Sequence, residues 1–375
     1  MRPAFRKFVP AALAAIGVLA LPSAAGAAPG MEIAVQDDHA LVTQAYSGAN
    51  RTKTLDLAGQ FQTKWIRANV LWAATNGSQS KSKSKPRSIK YDLTSYDALV
   101  LAARQRGMQV ELTLTGDAPA WATGDKKRGH NKPNAKLFGQ FARAVVAHFG
   151  NTVNRYTIWN EPNLGPWLLP LKDAPKIYAG LYKAGYAAVK AANPSAEVLF
   201  GETSPYGTKG RATPPIEFIR KALAGQKLVA DGYAHHPYDF QHAPSYKWPG
   251  STNATLGTIS NLTKELDRQA KAGRLRTPGG KALDVYFTEY GYLRAGRHGL
   301  SESKRAAYLK QAYTIALKNP RVRQMLQYLV IEPAKKYRFF DMSLANAKGS
   351  TFGAAFKSLV DWTNANATKI NGAGR

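Results

Sequence analysis

The sequence predicts a single α/β domain closed into a (β/α)8 TIM barrel, and three observations lead there. Eight short β-rich runs alternate with longer segments of helical period along the 375 residues. No linker or shift in composition separates any two of them. Hairpin turn signals are missing between the runs, so neighbouring strands are parallel, and each pair needs a crossover of about a dozen residues or more. Eight such units close more economically as a barrel than as an open doubly wound sheet, and barrels reach ~250 residues or more as one domain. A chain this long could also hold two ordinary domains. About 40 residues follow the eighth run, too few for a second one.

The elements follow in order. Residues 1–27 read as a signal peptide and not as fold: Arg2, Arg6 and Lys7 form a basic start, an apolar run spans Phe8 to Leu21, and Ala25-Gly26-Ala27 is a small-residue cleavage site. Cleavage after Ala27 is preferred, because cleavage after Ala28 would leave Pro29 first. Residues 28–375 form the expected domain of a secreted, extracellular protein; an uncleaved anchor is the alternative. No later window of 18 or more apolar residues implies a transmembrane segment.

The strand candidates are 31–35, Trp65–Leu71, Gln109–Thr115, 156–159, 197–200, 231–234, 284–288 and 325–331. Between them, Leu137, Phe138, Phe141, Val145 and Phe149 recur at helical steps before Gly150, which sits where a C-terminal cap would. Ile177, Tyr178, Leu181, Tyr182 and Val189 do the same before Asn193-Pro194. Leu99, Val100 and Ala103 precede Gly107 in like manner, and a last helix is expected over 351–363.

Composition narrows the function. The chain carries 52 Lys+Arg against 24 Asp+Glu, a net charge of +28; the leader holds three bases and no acid, so +25 remains after its removal. With 44% apolar residues the chain can bury a sizeable core. It has no cysteine, which excludes disulfides, thiolate metal sites and thiol nucleophiles. No phosphate-binding glycine loop follows the first strand, so no nucleotide cofactor is implied. Nucleic acid is the usual partner for such a charge, but export and the absence of a binding motif argue against it. The bases are spread along the chain, with one dense run from Lys81 to Arg87. That run reads either as a solvated loop or as a contact with an anionic cell-wall or extracellular polymer.

A barrel places its active site at the C-terminal ends of its strands. Strand four ends Trp159-Asn160-Glu161-Pro162-Asn163, and strand seven ends Thr288-Glu289-Tyr290-Gly291. Acids are scarce here, so two carboxylates delivered to strand ends stand out. Facing carboxylates suit glycoside cleavage: one protonated to release the departing oxygen, the other ionised to attack the anomeric carbon.

Together these motifs resemble the clan A glycoside hydrolases, retaining enzymes on (β/α)8 barrels, and most of all family 39-like and family 5-like secreted bacterial members. The resemblance implies Glu161 as acid/base and Glu289 as nucleophile, with Asn160 donating to the sugar hydroxyl beside the reacting carbon. It implies Arg67 as the strand-two arginine that keeps the nucleophile ionised. His236 and Tyr238 match the His-x-Tyr after strand six, where the tyrosine orients the nucleophile. Trp121 resembles a sugar-stacking tryptophan after strand three.

Trp167, Tyr206, Trp248 and Tyr292 are further mouth aromatics that could equally be packing. Glu202, Asp37 and Asp38 are additional strand-end acids, Glu202 being a candidate for substrate hydroxyls. Many clan members end strand eight with a tryptophan, but here the strand reads Gln327-Tyr328-Leu329-Val330-Ile331-Glu332-Pro333, leaving Glu332 and Phe339 as candidates for that wall. His235, His236 and His242 suggest a metal only superficially, since adjacent strand residues face opposite ways; no metal is expected. The expected activity is metal-free retaining hydrolysis of a carbohydrate. A polysaccharide-binding barrel without turnover and a transglycosylase are the rivals.

Overall fold

Eight parallel strands close in the order β1-β8-β7-β6-β5-β4-β3-β2. They are β1 (Glu32–Gln36), β2 (Trp65–Leu71), β3 (Gln109–Thr115), β4 (Arg155–Ile158), β5 (Glu197–Thr203), β6 (Gly232–His235), β7 (Val285–Phe287) and β8 (Val322–Tyr328). The structure is a computed structural model describing residues 30–43 and 48–372, so the leader expected over 1–27 lies outside the described residues. Eight helices cover the barrel: α1 (Gly48–Gln60), α2 (Thr94–Arg104), α3 (Ala135–Phe149), α4 (Ala174–Ala192), α5 (Pro215–Ala222), α6 (Ile259–Lys271), α7 (Glu302–Lys318) and α8 (Ala354–Ala365). No described helix is long and apolar enough to cross a membrane.

Local chemistry explains the boundaries. The Asn134 side chain caps α3 by accepting the Leu137 N–H at 3.0 Å, and Gly150 ends it at φ 51°. The inner face of α3 buries Phe138, Phe141 and Val145, as its period predicts. β8 begins three residues before the expected start, because Arg323 and Gln324 disguise it. Gln324 faces inward at the closed end of the barrel, where its amide donates to Glu111 (3.0 Å) and accepts from Arg155 (2.9 Å). Leu329, at φ 57°, then turns the chain out of the strand.

The N-terminal end of the barrel is plugged by Arg155. Its guanidinium lies between the rings of Trp65 (3.6 Å) and Tyr286 (4.8 Å) and pairs with Glu32 and Glu197, each at 2.7 Å. Burial pushes the neighbouring Glu111 carboxyl up to about 7, against the pull of Arg155. Access to the interior is therefore from the opposite end. Asp37, an expected mouth residue, is instead structural. Its buried carboxylate accepts the N–H groups of Val330 and Ile331 at 3.1 and 3.0 Å, tying β1 to the chain leaving β8.

Candidate active site

Residues in sparsely allowed backbone conformations cluster at the open end: Trp159 (φ 65°), Glu161 (φ 38°), Glu202 (φ 51°) and Leu329 (φ 57°) follow or end β4, β5 and β8. A non-glycine residue there costs energy and persists only when its surroundings hold it. At β4 the hold is visible. Trp159 is fully buried against Phe138, and its indole N–H donates to the Trp167 carbonyl at 2.8 Å. With Trp159 packed in the core, Asn160 and Glu161 line a mouth cavity of about 950 Å³.

Strand register assembles the floor. Gln36, Arg67 and Glu111 stand side by side on β1, β2 and β3. Arg67 is completely buried and serves four partners. Its guanidinium donates to Glu289 at 2.8 Å, to Asn160 Oδ1 at 2.8 Å, to Glu202 at 3.1–3.3 Å and to Gln36. Burial alone would weaken its hold on a proton, but Glu202 and Glu289 more than offset that and keep it charged. Since Asn160 accepts through Oδ1, its amide N–H groups remain as donors at the cavity.

His236 is the second cation. It is fully buried, with Nδ1 at 3.0 Å from Glu161 and 3.6 Å from Glu289, and Nε2 at 2.6 Å from Glu202. Burial disfavours the charged ring, yet Glu289, Glu161 and Glu202 raise it to about 10, so both nitrogens carry protons and donate. Burial would raise Glu202, but Arg67 and His236 overcome it and hold its carboxyl at about 2. Thr288 and Thr113 complete its shell at 2.7 and 3.3 Å. Glu202 is thus ionised, saturated and inaccessible, and the expected contact with substrate hydroxyls is corrected to a positioning role beneath the pair. His236 and Arg67, buried in the same way, also act through the carboxylates they hold.

Glu289 sits at the centre. It accepts from Arg67 and from the Tyr238 hydroxyl at 3.2 Å, and one of its oxygens lies within 4.8 Å of one from Glu161. Burial raises its carboxyl above the ordinary range; His236 and Arg67 oppose this, and the facing Glu161 adds to it. Arg67 and Tyr238 both stabilise charge on Glu289.

Among the described residues, Glu161, His236 and Glu289 are the one group spaced to hold a metal ion. The imidazolium of His236 already supplies the positive charge there, and a doubly protonated ring offers no lone pair. His235, on the other face, is held neutral by burial, at about 3, between Thr203 and the Ala254 carbonyl. His242 pairs with Asp239 instead.

Several expected residues fall elsewhere. Trp121 is only 3% exposed and packs edge-on against Trp72, so the expected sugar platform is a core residue. Tyr292 is fully buried, with its hydroxyl donating to the His242 carbonyl. Tyr206 and Trp248 stack on each other at 4.8 Å outside the cavity lining. Glu332 is drawn away into ion pairs with Arg294 and Arg338. The aromatic walls are Tyr96, Trp167, Tyr328, Tyr337, Phe339 and Phe340. Gln36, Asn69 and Thr113 were not anticipated; Asn69 could have been, because it follows Arg67 by two residues and so shares its face.

The family model described as cellulase (glycosyl hydrolase family 5) matches residues 28–317. Among solved structures, a family 39 glycoside hydrolase from Bacteroides cellulosilyticus WH2 superposes with a TM-score of 0.69 at 19% identity, over 89% of this chain and 64% of that one. The chain thus spans just under two thirds of that enzyme's length. The family 5 subfamily 18 protein of Streptomyces cattleya, solved with GlcNAc, gives 0.63 at 14% identity over 92% and 82% of the two chains. A monomeric β-xylosidase from Caulobacter crescentus CB15 gives 0.58 at 18% over 92% and 70%. A comparison with curated protein sequences finds no match. These structural likenesses speak for the barrel, while the family model covers most of the chain: it belongs to the cellulase family, glycosyl hydrolase family 5.

Proposed function

We propose that the protein is a secreted, retaining glycoside hydrolase that cleaves carbohydrate by double displacement between Glu289 and Glu161. The observation that carries this reading is the close approach of the two carboxylates, with oxygens within 4.8 Å. Retaining enzymes hold their carboxyls ~5–5.5 Å apart, whereas inverting ones need roughly 6.5–9.5 Å to admit a water. In the first step a Glu289 oxygen bonds to the anomeric carbon while the glycosidic C–O bond breaks, and the Glu161 proton passes to the departing oxygen. In the second, Glu161 takes a proton from water, the water oxygen bonds to the anomeric carbon, and Glu289 leaves as a carboxylate. Arg67 and Tyr238 keep Glu289 charged and aimed, and the Asn160 N–H groups face the sugar.

The pH dependence tests this division of labour. Glu202, at about 2, and His236, at about 10, keep their charges through the neutral range. A bell-shaped kcat/KM profile is therefore expected to report the site's own carboxyls, its acidic limb being loss of charge on Glu289. Turnover is expected to be unchanged by EDTA. A loss in EDTA that a divalent metal restores would overturn the metal-free mechanism.

Export rests on the basic and apolar leader; an N-terminus at Ala28 on protein recovered from the culture medium checks it. The basic exterior supports attachment to an anionic wall or extracellular polymer. The run from Lys81 to Arg87 is largely exposed and leans on α3, where Lys85 donates to Gln140 at 3.3 Å, and none of it lines the cavity. Retention on an anionic polysaccharide column is expected to fall steeply as salt rises, while turnover of a small neutral glycoside barely changes. Replacing Lys81, Lys83, Lys85 and Arg87 with Ser should weaken retention and spare that turnover. Lost turnover in this variant would place the run in the site.

A further inference from the structure

The chain's charge and its cavity's charge have opposite signs. Lys and Arg outnumber Asp and Glu by 52 to 24 over the whole sequence. Yet the described lining of the mouth cavity contains five carboxylates, Asp38, Asp92, Asp117, Glu161 and Glu289, and no Lys or Arg. Chemistry at the anomeric carbon accounts for two of these acids. Asp117 has a cationic neighbour, Arg128 at 3.5 Å, and the His130 ring at 3.8 Å. Asp38 and Asp92 have none among the described ion pairs.

Asp38 is held in place by neutral groups only: the Asn69 N–H at 2.9 Å, the Asn69 side-chain amide at 3.0 Å and the Gln36 amide at 2.7 Å. Arg67 lies nearby, but its N–H groups are taken by Glu289, Glu202, Asn160 and Gln36. Asp92 accepts the N–H of Thr94 at 3.0 Å and is exposed at the cavity's edge. The cavity's own imidazole, His39, stacks on Tyr337 at 4.1 Å, and burial moves it toward its neutral form. An anionic sugar entering here would meet five carboxylates and no lining Lys or Arg, the Lys336 ammonium being placed over the Tyr337 ring at 4.7 Å; its desolvation would lack a partner within the lining. A sugar carrying an ammonium group would find two carboxylates whose charge nothing else in the lining neutralises.

We propose that the site is selective for glycans bearing free amino groups, with Asp38 and Asp92 as the carboxylates that recognise the ammonium, and that uronic-acid glycans are refused. This rests on the glycoside-hydrolase reading of the same cavity. Carboxylates also accept hydroxyls of neutral sugars, so the test must separate charge from hydrogen bonding.

Calorimetry on the full protein provides that test, using a glucosamine oligomer, its fully N-acetylated counterpart and a uronic-acid oligomer at mildly acidic pH, where the amines are charged. The amino oligomer is expected to bind more tightly than the acetylated one by about threefold per carboxylate, the range of an exposed ion pair. The uronic-acid oligomer should bind weakest. The preference should collapse between ~0.01 M and ~1 M salt, as the Debye length falls from roughly 30 Å to roughly 3 Å. Asp38→Asn and Asp92→Asn keep an acceptor and lose the charge, so each should lower the amino-to-acetyl affinity ratio about threefold. Asp361→Asn, far out on α8 and paired with Lys357, should leave the ratio alone.

Equal weakening of both oligomers by the Asn variants would assign the acids to hydroxyl binding and overturn the proposal. So would a ratio near one at low salt. If the amino oligomer binds with the expected salt and variant dependence but no glycoside is cleaved, ammonium selectivity stands and the hydrolase reading falls. Cleavage of neutral glycosides without any preference for amino ones gives the reverse.

Discussion

Glu289→Gln is expected to lower turnover of an activated aryl glycoside by about 10⁴- to 10⁶-fold, the range seen when a covalent nucleophile is removed. Gln fills the same space beside Arg67 and Tyr238 but cannot form the glycosyl-enzyme bond. Glu161→Ala should behave differently. It removes the proton donor and the later base, so unactivated glycosides should slow by about 10²- to 10⁴-fold, while substrates with a good leaving group form the intermediate and then stall. Azide should then restore turnover, and the product should be a glycosyl azide of retained configuration. Steady-state kinetics with product analysis by NMR separates the two roles. A Glu161→Ala enzyme as active as the parent on an unactivated glycoside would remove Glu161 from the mechanism.

The second large effect belongs to Arg67, which never meets the sugar. Arg67→Met leaves Glu202 and Glu289 buried with His236 as their only counter-cation. Breaking a buried pair from one side costs about 3–5 kcal/mol, enough to lower the melting temperature by roughly 4–7 °C in a domain of this size. Activity should fall as well, and the acidic limb of the pH profile should move to higher pH, because Arg67 opposes the rise of the Glu289 carboxyl. Stability shifts in the same sense. A carboxyl held at about 2 stabilises the fold above its ordinary range and loses that contribution only as pH falls toward 2. Without Arg67 the Glu202 carboxyl is held less far below its ordinary range, so this contribution shrinks. Arg67→Lys should recover part of the stability but little activity, since one ammonium cannot serve four acceptors set around a planar fork. Thermal melts and pH–rate profiles of both variants check this; an unmoved acidic limb would mean that Arg67 does not tune Glu289.

The barrel was legible because its strands are apolar runs buried on both faces and its helices keep a helical period. The facing carboxylates were legible because scarce acids ended two of those runs. What stayed hidden depends on which way a side chain points in space. Glu202 ends β5 much as Glu161 follows β4, yet it faces Arg67, His236 and Thr288 beneath the cavity. Trp121 and Trp167 occupy similar loops, but the first packs against Trp72 in the core while the second borders the cavity. Gln324 looked like loop because its polarity serves an interior ion network and not solvent. Asp38 and Asn69 could be placed on their strand faces, but their partnership needs the register between β1 and β2.

Asp37 joins the first strand to the chain leaving the last, and the Arg67 cluster gathers side chains from β1 and β2 with those that follow β4, β6 and β7 and one from β5. Its contacts span up to 222 residues of sequence. Contacts of such long range are made late, after the loop-closure entropy of nearly the whole chain has been overcome. Neither half of the polypeptide can thus be expected to turn over substrate by itself. In refolding experiments the recovery of activity would report the final joining of the two chain ends, lagging behind the return of helical signal.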